Sequence, residues 1–132
     1  HMIYKAEPRS YRDLPLRLAE YGTCYRYEQS GELAGLLRVR GMTMNDAHIY
    51  CSPEQAKAEL LNVLNLHTQY YELFGLKDFW MRLSLAEKDT GKSVDEPELW
   101  QKAETLITEV MEEVGVPYEA VRGEAAFHGP KI

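Results

Sequence analysis

The sequence predicts an α+β fold with a mostly antiparallel sheet and flanking helices. Three observations carry that reading: β-favouring segments crowd the first part of the chain, two later stretches repeat apolar residues at helical spacing, and short alternating segments follow each of those stretches.

At 132 residues, with 45% hydrophobic and 27% charged residues, the chain has the size and composition of one ordinary globular domain with a single core. No apolar run reaches the length of a membrane span, and no signal-peptide pattern is present, so a cytoplasmic setting without membrane contact is expected. His1-Met2 reads as a cloning remnant, which leaves 3–132 as the domain. Cys24 and Cys51 have no spacing that asks for a disulfide and read as reduced thiols. A net charge of −6 argues against a domain devoted to gripping a nucleic-acid backbone. Positive charge is nevertheless concentrated at Arg9, Arg12, Arg17, Arg26, Arg38 and Arg40, which leaves room for a local anion site.

Taken in order, Ser10 to Tyr21 reads as a short helix stopped by Gly22, with Pro15 disturbing its first turn. Thr23 to Glu28 reads as a strand, Gln29 to Gly35 as a polar loop, and Leu36 to Arg40 as a strand returning antiparallel to the first. After Gly41, Met42 to Tyr50 continues extended. Ser52-Pro53-Glu54-Gln55 has the pattern of a helix start, and Leu60, Leu61, Leu64, Tyr71 and Phe74 carry an amphipathic helix to Gly75. Asp78 to Leu85 alternates, with Phe79, Met81, Leu83 and Leu85 on the apolar side. Glu87 to Ser93 is a polar loop. Asp95 and Glu98 can cap a second helix, whose stripe is Leu99, Ala103, Leu106, Val110 and Val114, widened by Trp100, Ile107 and Met111. Gly115 and Pro117 end it, Tyr118 to Arg122 reads as a last strand, and a turn-rich segment closes the chain.

Arg26 and Glu28, two apart in a predicted strand, share a face, and Arg38 and Arg40 repeat the arrangement on the expected neighbour. Guanidinium groups held on strands can clamp phosphoryl oxygens in two-point hydrogen bonds, so the surface suits a triphosphate; the alternative is a solvated face with cross-strand ion pairs. No P-loop, dinucleotide fingerprint or Ser-His-Asp arrangement is legible. His48, near Asp46 and Cys51, has an incomplete set of partners for zinc and reads as a hydrogen-bonded histidine. His67 reads as a helix-surface residue. His128 and Lys131 form a polar cluster around a turn, and Trp80 and Trp100 read as packing residues.

The series Tyr25-Arg26-Tyr27-Glu28, Ser30-Gly31, Gly35-Leu36, Arg38-Val39-Arg40-Gly41 and Asp46-Ala47-His48 resembles the second signature motif of class II aminoacyl-tRNA synthetases, in particular the threonyl-tRNA synthetase family. The likeness runs from Arg9-Ser10-Tyr11-Arg12-Asp13-Leu14-Pro15 to Gly129-Pro130-Lys131-Ile132, essentially the whole chain. It implies part of a catalytic domain whose parent is an ATP-dependent threonine–tRNA ligase, making threonyl-adenylate and passing threonine to tRNA(Thr).

By the same resemblance, Arg26 holds the ATP α-phosphate beside the amino-acid carboxylate, Glu28 meets the adenine amino group, and Arg38 helps hold the bent triphosphate. Arg26 and Lys131 are the implied catalytic residues. Asp46, Met44 and His128 are implied at the threonine site, and His48 as one of three ligands of a zinc that selects threonine over valine. Mg2+ is implied between the phosphates. Met44 stands where many bacterial relatives have glutamine, and His128 where many have tyrosine. The cysteine ligand is expected just upstream of Ile3, and the second histidine ligand and a third-motif arginine downstream of Ile132. Zinc binding is therefore expected to be weak or absent here, and the isolated piece to be inactive or to act as a nucleotide-binding or structural unit. The parent is implied to be a homodimer, and an exposed sheet edge is expected to favour self-association.

Overall fold

In a computed structural model, the structure describes residues 1–87, 97–126 and 129–132. Asp95, His128 and most of the expected loop from Glu87 to Ser93 fall outside the described residues. The chain forms two compact units, His1–Ser52 and Pro53–Ile132.

The first unit opens with a short helix α1 (Met2–Lys5) and a single 3-10 turn at Tyr11–Asp13. Ser10 caps that turn reciprocally: its hydroxyl accepts from the Arg12 N–H at 3.2 Å, and its own N–H donates to the Asp13 carboxylate at 2.6 Å. From there the chain departs from expectation. Leu16–Tyr25 is a ten-residue strand, β1, where a helix was expected through Tyr21. The reason is the alternation of Leu16 and Leu18 with Arg17 and Ala19 directly after Pro15; two leucines two apart serve one face of a strand, not one face of a helix. β2 (Gly41–Tyr50) returns antiparallel to β1, with Tyr25 opposite Gly41 and Leu16 opposite Tyr50.

The connection differs too. Leu36 to Arg40 is not a strand: Leu37 and Arg38 both donate backbone bonds to the Ala34 carbonyl, making a tight turn bridged between Ala34 and Arg38. An earlier turn joins the Glu32 N–H to the Gln29 carbonyl at 3.2 Å, with Gly31 at φ 95°, a region open in practice to glycine.

The second unit begins with α2 (Pro53–Leu73), which starts and stops where the sequence indicates. At its end the Gly75 N–H reaches the Glu72 carbonyl at 3.0 Å and the Leu76 N–H reaches Tyr71 at 2.8 Å. This reversal places Gly75 at φ 71° and satisfies two otherwise open carbonyls. β3 (Met81–Leu85), α3 (Pro97–Val114) and β4 (Tyr118–Arg122) follow. β3 and β4 pair in parallel, Leu83 opposite Ala120, where a largely antiparallel sheet was expected. Parallel neighbours need a crossover, and α3 supplies it. The α+β class holds, with one antiparallel and one parallel pair.

Leu64, Met81, Leu83, Leu85, Ile107, Val110 and Met111 form the core of this unit, flanked by Leu60, Leu61, Phe79 and Val114. α3 therefore buries the Ile107–Val110–Met111 side, and Leu99, expected in the stripe, lies exposed in the first turn of the helix. Trp80 is also more than half exposed, with the Arg82 guanidinium 5.4 Å above its ring. Among the described residues no helix is long and apolar enough to cross a membrane.

Candidate functional site

In an antiparallel ladder, side chains of directly paired residues lie on the same face. The register thus places Leu18, Glu20, Gly22 and Cys24 of β1 beside His48, Asp46, Met44 and Met42 of β2 on one face. The ladder runs one pair beyond the strands: the Arg26 N–H donates to the Arg40 carbonyl at 2.8 Å. Arg26 and Arg40 therefore stand opposite one another on that same face, four residues along from the Gly22–Met44 pair, about 13 Å at the rise of a strand. Gly22 presents no side chain opposite Met44, and the Glu20 carboxyl carbon lies 3.3 Å from where a Cβ would be. The face reads as a track with two guanidinium groups at one end, the Glu20 carboxylate leaning over Gly22 in the middle, and Asp46 and His48 at the other.

Glu28 and Arg38 leave the track. The Glu28 N–H turns back to the Arg26 carbonyl at 3.0 Å, which ends the extended run at Tyr27. Glu28 is only 9% exposed, and one of its oxygens, Oε2, accepts from both Nε and Nη2 of Arg38, at 3.2 and 3.0 Å. Glu32 adds a looser contact to the same Nη2 at 3.9 Å while accepting from the Gln29 N–H at 2.9 Å. Arg40 donates Nε to the Glu28 carbonyl at 3.1 Å. The connection from Arg26 to Arg40 is thus closed on Glu28 by two arginines.

Of the other expected residues, Asp46 is exposed and accepts from the Ala47 N–H at 2.9 Å. His48 is exposed, its ring 5.7 Å from that of His1 and 6.5 Å from that of Tyr50. Among the described residues no three His, Cys, Asp or Glu side chains converge as a metal site, so His48 is a single candidate ligand, and these residues do not fit a zinc ion on their own. Lys131 lies in the second unit, where its backbone brackets Ser84 on the outer side of β3 through bonds of 2.8 and 3.2 Å, with its side chain exposed. His128 is outside the described residues. Neither Cys24 nor Cys51 is in a disulfide. An open concavity of about 570 Å3 against α1, lined by Tyr4, Leu14, Ile49 and Tyr50, includes none of the expected site residues.

Sequence reasoning missed two features: the bare position at Gly22 and the different situations of Arg38 and Arg40. A glycine inside a strand was the available signal for the first. Nothing in the spacing of Arg38 and Arg40 could separate them, because a loop ion pair depends on the course of the chain between its members.

Residues 1–131 match the family described as tRNA synthetase class II core domain (G, H, P, S and T). The chain is 53% identical over 130 residues to threonine–tRNA ligase of Deinococcus radiodurans, and 52% identical over 132 residues to threonine–tRNA ligase 1 of Bacillus subtilis. These alignments cover 98% and 99% of this chain but 20% of each relative. Among solved structures, it superposes with a TM-score of 0.85 at 36% identity on a chain described as the RNA binding domain of threonyl-tRNA synthetase from Cryptosporidium parvum. It superposes at 0.82 and 33% on a threonyl-tRNA synthetase of Aeropyrum pernix, covering 98% of this chain and 30% of that one.

Proposed function

The chain belongs to the class II tRNA synthetase core-domain family, and from that premise we propose that it is part of the aminoacylation domain of a threonine–tRNA ligase, holding the nucleotide side of its active site. The observation that carries this is the end of the β1–β2 ladder, where Arg26 and Arg40 share a face beside the buried Glu28. A pair of guanidinium groups next to a carboxylate can hold phosphates at one end and an amino-bearing base at the other.

In this reading residues 3–132 are a portion of the catalytic domain of a longer cytoplasmic, homodimeric enzyme. Arg26 holds the α-phosphate of ATP while the threonine carboxylate attacks it, giving threonyl-adenylate and pyrophosphate. The protein's task there is positioning and neutralisation of phosphoryl charge, with Mg2+ supplying further positive charge. Glu28 accepts from the adenine amino group, Arg38 helps hold the triphosphate, and Met44 and Asp46 belong to the threonine side; Lys131 and His128 are carried over as substrate-side residues from the family resemblance alone. Threonine then passes to the terminal ribose of tRNA(Thr). His48 would give one imidazole to a zinc ion in the longer enzyme, the described residues supplying one ligand and not a set.

The test is calorimetric binding of ATP to this chain, run beside threonine-dependent ATP–pyrophosphate exchange with zinc and magnesium supplied. ATP binding that disappears in Arg26→Ala, without measurable exchange, is the expected result. Exchange that depends on threonine and on Arg26 would show a competent catalytic unit and overturn the partial-site reading. Absence of ATP binding by a folded chain would leave only a structural role.

A further inference from the structure

Arg38 and Arg40 look equivalent in the sequence and are not equivalent in the structure. Arg38 is spent on carboxylates: Glu28 takes two of its donors and Glu32 approaches a third contact at 3.9 Å. Arg40 gives Nε to a backbone carbonyl and has no carboxylate partner among the described residues. Arg26 has none either. These two guanidinium groups occupy directly opposed register positions on one sheet face, linked by the Arg26 N–H to Arg40 carbonyl bond. Like charges placed so repel, and the acids of the connection between them, Glu28 and Glu32, are turned to Arg38 instead.

We propose that Arg40 is the second prong of the phosphate clamp, acting with Arg26 on the phosphoryl groups of the nucleotide, while Arg38 in the ligand-free protein is a tie that holds the Arg26–Arg40 connection closed. The proposal rests on the nucleotide reading above and adds a binding residue to it. The bond from Nε to the Glu28 carbonyl fixes the plane of the Arg40 guanidinium. That leaves Nη1 and Nη2 to meet two oxygens of a phosphoryl group, a geometry a lysine does not reproduce. Two arginines on directly opposed strand positions, each capable of a two-point contact, suit pyrophosphate better than a simple monoanion.

Calorimetry on this chain with three probes, inorganic pyrophosphate, ATP and adenosine, separates the possibilities. Arg40→Ala is expected to weaken pyrophosphate and ATP on the order of tenfold, the loss of one charge-assisted contact, and to leave adenosine unchanged. Arg40→Lys, which keeps the charge without the fork, should fall between wild type and Arg40→Ala, and is the variant to rely on if Arg40→Ala melts early. Equal weakening of ATP and adenosine would mean that Arg40 only shapes the loop, and would overturn the proposal. Unchanged pyrophosphate affinity in Arg40→Ala, with loss in Arg26→Ala, would overturn it while leaving the nucleotide reading standing. Wild-type protein that binds neither ATP nor pyrophosphate would sink both.

Discussion

Glu28 is the buried charged residue of the first unit among those described, and its surroundings decide what its removal does. A buried carboxylate is tolerated when it is paired and hydrogen-bonded, and here Arg38 provides both. Arg38 itself is half exposed, so solvent screens the pair and its worth lies at the modest end for an ion pair. Glu28→Gln should therefore cost about 1 kcal/mol of stability. It should also free Arg38, and faster amide exchange across the Gln29–Arg38 connection, read by NMR, is the direct check. Unchanged exchange would mean that the backbone turns alone, not the ion pair, hold the loop. That four charges would share one surface was partly legible, since Arg26 and Arg40 do so by register. Glu28 and Arg38 were misplaced because the turn at Tyr27 takes them off the ladder, and residue spacing assumes a strand that continues.

At the scale of elements, legibility followed the strength of the local signal. α2 and α3 were readable because long apolar periodicity and flanking Gly or Pro leave one solution. The start of β1 was lost because four apolar residues within a few positions fit either period when a proline precedes them. The parallel β3–β4 pairing was not legible from either strand alone, since direction is set by the helix between them. α2 and α3 are also joined at their surface: the Lys57 ammonium lies 3.1 Å from Glu113 and 3.8 Å from Glu109. The Glu113 hydrogen bond and charge raise the Lys57 pKa above its ordinary 10.5. A raised lysine pKa means stability that is fully present below the unfolded value and is lost as pH rises through the folded one. The melting temperature of wild type should accordingly exceed that of Lys57→Gln at neutral pH and converge with it above pH 10.5. High salt should narrow the same gap, because the lysine is exposed. A gap that persists in strong alkali would assign the effect to the packing of the side-chain stem and not to its charge.

Across the whole molecule, burial is unequally shared. Every fully buried apolar side chain among the described residues lies in the second unit, where Leu83, Val110 and Met111 have no exposed surface. The first unit rests on a ten-pair, two-stranded ladder with the Tyr4–Tyr50 stack at 4.3 Å beside it. A two-stranded pair taken alone is marginal in water, because it orders two strands without burying a core. Its amides should open in small local fluctuations, while those of β3 and the middle of α3 exchange only in larger ones. Native-state hydrogen exchange should thus give Gly22 and Met44, a hydrogen-bonded pair of the ladder, markedly less protection than Leu83 and Val110. Leu83→Ala, which deletes a wholly buried side chain, should lower protection in β3 and α3 by about 3 kcal/mol. If β1 and β2 prove as protected as β3, the candidate site stands on a scaffold as firm as the core. The guanidinium groups of Arg26 and Arg40 would then be held in place before any ligand arrives. If they are less protected, as expected, part of the energy of anion binding goes into ordering that ladder, and ATP should raise the protection of the amides around Arg26 and Arg40 more than that of any amide in β3.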